Sequence, residues 1–442
     1  MVDLLSLAVP FFLAAIAVEW VLDRRRDVGW MPWQDALGSL SAGALSTTTG
    51  LFTKLIGIAV YAWVLEHVAL WRMPAAWFDL SVTGVLASLG VLLIWDFFYY
   101  WKHRLGHEVA LLWAAHSVHH QSEEYNLTTA LRQTSTDFII GWIVYVPMFL
   151  LGVPLHVFAT VAALDLIYQF WVHTRHIDKL GWADRVFVTP SNHRVHHAQN
   201  TPYLDKNYGG ILIIWDRLFG TFAEERDDEP VVFGVRRPLS SFNAFEANWS
   251  VYRDLIADSR RASSWRDRLA LWLRHPGWRP DDVAARYPRP YPPLEEFEKH
   301  GALVSRSGRR YLLAQFTVAI FMTLIIGVMA PGADWQGLLA ACIALWLLLA
   351  SVGIASDAQP GAVAFELIRL AATVPLAAFA AADIAPASRD AVVIVAIVYA
   401  LLSAAWVVRS GALAAVSVVP DQATSAELAA SSGSQRESMS RS

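Results

Sequence analysis

HRLGHEVALLWAAHSVHH, residues 103–120, holds five of the 14 histidines of this 442-residue chain, and HRVHH at residues 193–197 repeats the spacing of its last five positions. Because successive residues of an α-helix are rotated by about 100°, histidines at positions i, i+3 and i+4 share one face. Each motif therefore turns two or three imidazoles toward one place. Clustered imidazoles repel each other or lose hydrogen bonds unless something binds them. The pattern predicts a metal site.

The number of histidines indicates two metal ions. Eleven of the 14 lie between His103 and His197, and they include a further pair, His173 and His176. Structural zinc takes four ligands and most ions take at most six, so eight or more imidazoles exceed what one ion can hold. The single cysteine, Cys342, excludes a cysteine-type zinc site and an iron–sulfur cluster. Imidazole suits zinc, copper, iron and nickel, so the ligand type does not choose among these metals.

The composition is that of a membrane protein, because 55% of the residues are hydrophobic and only 17% are charged, against about 25% charged residues in soluble domains. The net charge of −4 gives no sign of nucleic-acid binding. A membrane span needs about 20 apolar residues. Candidate runs lie at about 4–22, within 44–65, and at 80–100, 311–329, 335–354, 365–381 and 391–408. The stretch 138–171 is broken by prolines and a glycine and predicts either a hairpin of two spans or a re-entrant pair.

The basic residues around these runs set the predicted orientation. Arg24–Arg26 follow the first run, and Lys102 and Arg104 follow the third. The positive-inside rule places both ends in the cytoplasm, together with the arginine-rich region from about residue 173 to residue 310. We therefore predict an all-α, polytopic integral membrane protein with a histidine-rich di-metal helical domain at the cytoplasmic edge.

Four segments describe the predicted domain organisation. Residues 1–78 form N-terminal spans, residues 79–305 the histidine-rich catalytic domain, residues 306–412 C-terminal spans and residues 413–442 a disordered tail. The C-terminal spans are interpreted as a separate helical unit without evident catalytic polar residues. Asp96 and Asp165 are acids inside apolar runs, and such residues are functional candidates.

The placement of the histidines favours a redox metal. They begin where the third run leaves the membrane, so a site there can receive a lipid from the bilayer and electrons from the cytoplasm. Oxygen attack on an unactivated C–H bond needs a redox metal with open positions, which favours iron over zinc. The Glu-x-x-His motifs of soluble carboxylate-bridged di-iron bundles are missing from the sequence.

The histidine motifs, in this order on membrane helices, resemble the fatty acid hydroxylase/sterol desaturase superfamily of integral-membrane di-iron oxygenases. The sequence between and after the motifs is most similar to the alkylglycerol monooxygenase branch. The clearest stretches are YNLTTALRQ at residues 125–133 and LDKNYGGILIIWDRLFGTF at residues 204–222. The resemblance covers about residues 80–290 and extends loosely to the whole chain. It implies hydroxylation of an ether-bearing carbon with O₂ and collapse of the hemiacetal to an aldehyde and a glycerol derivative.

The resemblance also implies roles for single residues. Gln169 occupies the position of a histidine or asparagine in relatives and is expected to hydrogen-bond a metal-bound water. Glu108 matches an acid of the alkylglycerol branch and is expected to orient imidazoles, the alternative being a helix-surface acid beside Arg104. His176 departs from the pattern and is expected not to be a ligand. The implied ligands of two iron ions are His103, His107, His116, His119, His120, His173, His193, His196 and His197.

The implied partners are a lipid substrate, O₂, the membrane and an electron donor, which is tetrahydrobiopterin in the alkylglycerol branch or else another external donor. A sterol or fatty-acid hydroxylase or desaturase of the same superfamily is the alternative. A non-enzymatic metal transporter is disfavoured, because its ligands would lie near the midplane along a path across the bilayer. A zinc hydrolase is disfavoured as well, because it would keep about three protein ligands.

Overall fold

The structure, a computed structural model, describes residues 4–79 and 81–413 and confirms the all-α prediction. Short 3₁₀ turns join many of the helices, and the described residues form only two isolated β-bridges outside them. All but the first residue of the predicted disordered tail, 413–442, lies outside the described residues. The helices are α1 Leu4–Arg26, α2 Trp33–His67, α3 Val82–Glu108, α4 Ala110–His120, α5 Leu127–Ala130, α6 Val146–Leu150, α7 Leu155–Trp171, α8 Pro190–His196, α9 Ile214–Phe219, α10 Ala244–Arg261, α11 Trp265–Leu273, α12 Asp281–Arg286, α13 Arg306–Met329, α14 Trp335–Ser356, α15 Ala362–Ile384 and α16 Arg389–Ser410.

Six helices among the described residues are long and apolar enough to cross a membrane, namely α2, α3 and α13 to α16. They match the second and third predicted spans and the four C-terminal ones, which confirms a multi-pass membrane protein. The first predicted span forms α1, which borders residues that the structure does not describe, and its crossing stays a prediction.

The broken apolar stretch forms two short legs, Gly141–Leu150 and Leu155–Trp171. The first leg is a 3₁₀ helix, Gly141–Tyr145, followed by the short helix α6. It is less than about 20 Å long, against about 30 Å of hydrocarbon in a bilayer. Between the legs the chain turns at Gly152, whose φ of +80° favours glycine. The structure therefore favours the re-entrant pair over two full spans.

Helix α3 carries the first two histidines of the site out of its apolar part. Its first turn is capped by Ser81, whose hydroxyl accepts a hydrogen bond from the Gly84 amide at 3.1 Å. The helix continues to Glu108, eight residues beyond the predicted end of the span. One extended residue, Val109, then separates it from α4, which packs back against it. This hairpin brings the first two histidine motifs face to face.

The C-terminal helices share an apolar core with the N-terminal half. Leu37 and Leu45 of α2 pack with Phe316 of α13 and with Leu345 and Leu349 of α14, and α10 joins the same cluster. The predicted separate unit is therefore continuous with the rest of the protein in its packing, because α2 offers an apolar face that α13 and α14 cover. The predicted domain boundary at residue 306 coincides with the start of α13 and stays a prediction.

A buried polar network lies inside the C-terminal helices. Glu366 and Arg369 of α15 form an ion pair in which each side chain is 1% exposed, and the Arg369 Nε lies 3.0 Å from Glu366 Oε2. Arg369 also donates to Tyr399 of α16 at 2.7 Å and to Gln315 of α13 at 3.1 Å. Ser351 of α14 donates to Glu366 at 2.5 Å. The sequence showed only apolar runs here, because the network takes one or two residues from each of four helices.

Candidate metal centre

Nine imidazoles meet where α3, α4, the end of α7 and α8 converge. The structure brings together every histidine that was implied as a ligand, and it divides them into two groups. Within each group the nitrogens that face one another all lie within 4.8 Å. The five-histidine group consists of His103, His107, His116, His120 and His196, and the four-histidine group of His119, His173, His193 and His197.

The hydrogen bonds of His119 and His173 leave two acceptor nitrogens of the four-histidine group facing each other, an arrangement that suits a cation. The Nδ1 of His119 donates to the main-chain oxygen of Arg132 at 3.0 Å, and the Nδ1 of His173 donates to that of Gln169 at 2.7 Å. Each Nε2 is therefore the unprotonated nitrogen of its ring. These two nitrogens lie 3.2 Å apart with their lone pairs facing each other. A bound cation turns that repulsion into ligation.

The five-histidine group has the same character. The Nε2 of His116 lies 3.0 Å from the Nε2 of His103 and 3.0 Å from that of His120, and His120 lies 3.1 Å from His196 through the same atoms. The Nε2 of His107 is buried and has no hydrogen-bond partner among the described residues. An all-nitrogen set with a buried orphan nitrogen fits a transition-metal ion.

Burial keeps these imidazoles neutral. It lowers the pKa of His119 to about 4. Burial first, and the neighbouring imidazoles second, lower the pKa of His116, His120 and His197 well below the usual value of a histidine. Metal ions bind the neutral form of imidazole, so the ligand set is ready to bind a metal at physiological pH.

A short segment, Asp205–Tyr208, orients three members of the five-histidine group. The main-chain oxygen of Tyr208 accepts from His103 Nδ1 at 2.8 Å, and that of Lys206 accepts from His196 Nδ1 at 3.0 Å. The Asp205 carboxylate lies 3.5 Å from His107 Nδ1. This role could not be predicted from the sequence, because main-chain oxygens carry no sequence signature and Asp205 lies far along the chain from His107.

Asp96, one of the two acids predicted inside the spans, fixes the chain that follows this segment. Its carboxylate, 1% exposed on α3, accepts from the amides of Ile211 and Leu212 at 2.8 and 3.1 Å. It also accepts from Trp215 Nε1 at 2.9 Å. Irregular backbone beside a membrane span needs such internal partners, because lipid offers none.

Asp165, the other acid, engages the side chain of Gln169. Gln169 Nε2 donates to Asp165 at 2.7 Å, and Gln169 Oε1 accepts from the Tyr99 hydroxyl at 2.7 Å. Gln169 thus contacts the implied ligand His173 through its main-chain oxygen, whereas its side chain binds these two neighbours. The expected contact between Gln169 and a metal-bound water stays a prediction.

Glu108 and His176 lie outside the two groups. Glu108 accepts from Arg104 Nε at 2.9 Å with a side chain that is 38% exposed, and it hydrogen-bonds no imidazole in the described part of the chain. This is the arrangement of the alternative interpretation, a surface acid paired one turn away, and Asp205 lies against His107 instead. The His176 ring lies 3.1 Å from an Arg26 nitrogen and contacts Trp30, as expected for a histidine that is not a ligand.

Replacing Gly210 by alanine is expected to disturb the site. A Cβ at Gly210 would lie 2.8 Å from both Asp165 Oδ1 and the Tyr99 ring and 3.0 Å from Asp96 Oδ1. Since α3 and α7 cannot separate without loss of packing, the backbone around residue 210 must shift. The expected cost in stability is about 1–3 kcal/mol. Thermal unfolding and the metal content of purified Gly210→Ala measure this. Gly90→Ala, where a Cβ meets nothing within 4 Å, is the control and should lower neither, because alanine is at least as favourable as glycine inside a helix.

Comparisons with known proteins agree with this architecture. The model of the Fatty acid hydroxylase family matches residues 88–221, which contain all nine histidines of the two groups. The chain is 34% identical to human alkylglycerol monooxygenase over 83% of this chain and 81% of that protein, and 36% identical to the Danio rerio protein of the same name over 82% and 79%. It is 35% identical to an ornithine lipid hydroxylase of Rhizobium tropici over 30% and 40%. No solved structure matches the chain.

Proposed function

This chain belongs to the alkylglycerol monooxygenase family within the fatty acid hydroxylase superfamily, and on that premise we propose that it is a di-iron enzyme that cleaves alkylglycerol ether lipids. It is a membrane oxidoreductase that acts on lipids. The observation that carries the more specific proposal is the pair of histidine groups, which supply five and four imidazole nitrogens in two adjacent positions.

Iron suits these positions. All the candidate ligands are neutral imidazoles, which iron accepts, and the reaction that the family catalyses needs a redox metal, which zinc is not. When bound, the two iron ions supply the activation of O₂ that insertion into an unactivated C–H bond requires. The nine histidines of the two groups are the proposed ligands.

The protein's own residues fix the imidazoles and exclude water. Each orienting hydrogen bond described above holds one ring with its Nε2 toward the centre of its group. His103 lies in the last turns of α3, His173 follows the end of α7, and both are buried. His193, in the short helix α8, is buried as well, and His116 of α4 is partly buried. Because α3 is long and apolar enough to cross the membrane, we propose that the lipid substrate enters the site from the bilayer. We place the end of α3 in the cytoplasm, because Lys102 and Arg104 flank it.

The proposed reaction is oxygen insertion at the carbon that bears the ether oxygen. One oxygen atom of O₂ enters the C–H bond, and the other leaves as water with two electrons and two protons from an external donor. The resulting hemiacetal collapses to a fatty aldehyde and a glycerol derivative. Tetrahydrobiopterin, or another external reductant of the cytoplasm, is the proposed electron source. Residues 79–305 are the proposed catalytic domain between two sets of spans.

The experiment that tests the function measures metal and product together. We expect about two iron ions per chain in the detergent-purified protein, and aldehyde release from an alkylglycerol that needs both O₂ and a reductant such as tetrahydrobiopterin. A protein without iron, or aldehyde release that continues without O₂, contradicts the proposal. Hydroxylation of a sterol or a fatty acid with no activity on an alkylglycerol moves the assignment to the alternative branch of the superfamily.

A further inference from the structure

We propose that Asp205 and Asp96 are positioning residues that retain the metal of the five-histidine group, and that the four-histidine group binds its metal independently of them. The inference rests on the metal centre of the proposed function and adds a division of labour within it. Asp205 acts directly on one imidazole, and Asp96 acts through the chain between residues 205 and 212.

The segment Asp205–Tyr208 contacts the five-histidine group. Three of the five rings, those of His103, His107 and His196, have their outer nitrogens on this segment. A ring whose Nδ1–H has a fixed acceptor keeps its Nε2 lone pair aimed at the metal. A displacement of the segment therefore turns a majority of the ligands of that one group.

The backbone conformation of the segment Asp205–Tyr208 depends on hydrogen bonds to other parts of the chain. Asp205 and Asn207 have φ values of +57° and +59°, a left-handed conformation that non-glycine residues adopt infrequently. The buried Asn207 side chain donates to the main-chain oxygens of Asn192 and Ala223 at 3.0 and 2.8 Å. These bonds hold the middle of the segment in its unusual conformation.

Two buried carboxylates hold the end of this segment and the residues that follow it. Asp216 accepts from the Tyr208 and Gly209 amides at 2.7 and 2.8 Å. Beyond Gly210, Asp96 accepts from the amides of Ile211 and Leu212. Asp96 is the one anchor of this run that lies on α3, the helix that also carries His103 and His107, so it fixes the distance between the segment and two of the rings that the segment orients.

Two rings of the four-histidine group are oriented by other parts of the chain. His119 and His173 are oriented by the main-chain oxygens of Arg132 and Gln169, which belong to the end of α5 and to α7. Neither oxygen is on the segment Asp205–Tyr208. These two rings of the four-histidine group thus have supports outside the segment, and the bond from Asn207 to Asn192, next to His193, is not removed by a change at Asp205 or Asp96. A change at either aspartate should therefore empty one position.

The test counts iron in purified variants. Asp205→Ala and Asp96→Asn are expected to lower the iron content from about two ions per chain toward one, because loss of an outer partner of a ligating histidine weakens metal affinity by about 10–100-fold. The remaining ion should leave to a chelator at the wild-type rate. Asp205→Asn keeps an acceptor oxygen and should restore part of the loss. His275→Ala removes the other histidine beside Asp205, 3.2 Å away, and should keep two ions.

Combination with ligand variants identifies the position that empties. His119→Ala should hold about one ion, in the five-histidine group, and adding Asp205→Ala should bring the content close to zero. His196→Ala also should hold about one ion, and adding Asp205→Ala should change nothing. Because Asp205 is partly exposed, with a side chain that is 41% accessible, its variants are expected to fold even if Asp96→Asn does not.

The outcomes separate this inference from the proposed function. Two tightly bound ions in Asp205→Ala, or equal loss of both, overturn the inference and leave the function standing. A wild-type protein that binds neither iron nor zinc contradicts the metal centre, and the inference falls with it. The iron counts need no lipid substrate, so an error about the substrate does not affect them.

Discussion

Replacing His196 by alanine is expected to remove about one of two iron ions per chain and to reduce aldehyde release from an alkylglycerol to background. His196 Nε2 lies 3.1 Å from His120 Nε2 in the centre of the five-histidine group, and the side chain is buried. Loss of an outer partner of a ligand already costs about 10–100-fold, so loss of the ligand itself should cost more than about 100-fold. Iron analysis and the aldehyde assay on the same preparation measure both effects.

His119→Ala should have the same effect through the four-histidine group, and His176→Ala is the matched control. His176 lies only three residues beyond His173, but its ring contacts Arg26 and Trp30 and belongs to neither group. Its removal should leave iron content and activity at the wild-type level. Full activity in His119→Ala, or lost iron in His176→Ala, would contradict the assignment of the ligands.

The second large effect is expected far from the histidines. Glu366→Ala should destabilise the protein by about 3–5 kcal/mol, the range observed when one partner of a buried ion pair is removed. The change leaves the Arg369 guanidinium charged and 1% exposed among membrane helices, where Tyr399 and Gln315 supply hydrogen bonds but no negative charge. Thermal unfolding in detergent, at a fixed detergent concentration, measures the loss.

The double variant Glu366→Leu with Arg369→Met separates the charge from the packing. Because it removes both charges and fills most of the space, it should be markedly more stable than Glu366→Ala alone. Iron content should stay near two in the double variant, since none of these residues contacts a histidine of the site. A Glu366→Ala protein as stable as wild type would show that the pair does not contribute to holding the four helices together.

The histidine site could be predicted from the sequence because its signal is local. His116, His119 and His120 lie within two helical turns, so the period of the α-helix alone places them on one face. The membrane spans could be predicted as well, because the thickness of the bilayer sets the length of an apolar run that crosses it. The partition of the nine rings into five and four could not be foreseen, because His119 and His120 are neighbours in sequence and belong to different groups.

The supports of the site were hidden for a different reason. Asp205 lies 98 residues after His107, and nothing in the sequence connects the two. Asp96 was recognised as an acid inside a span, but its partners are the backbone amides of a loop more than 100 residues away. The family resemblance predicted that Glu108 orients imidazoles, whereas in the structure it pairs with Arg104, one turn away on the same helix. Contacts between distant segments need the fold.

The unequal numbers of imidazoles make the two positions unequal targets for the wrong metal. Zinc binds nitrogen ligands more tightly than ferrous iron does, and it prefers four ligands in a tetrahedron. The four-histidine group offers zinc that number, whereas the five-histidine group exceeds it. Mismetallation should therefore begin at the four-histidine group and inactivate the enzyme with half of its iron still in place. Assembly of the proposed di-iron centre then depends on iron occupying the four-histidine group before zinc does.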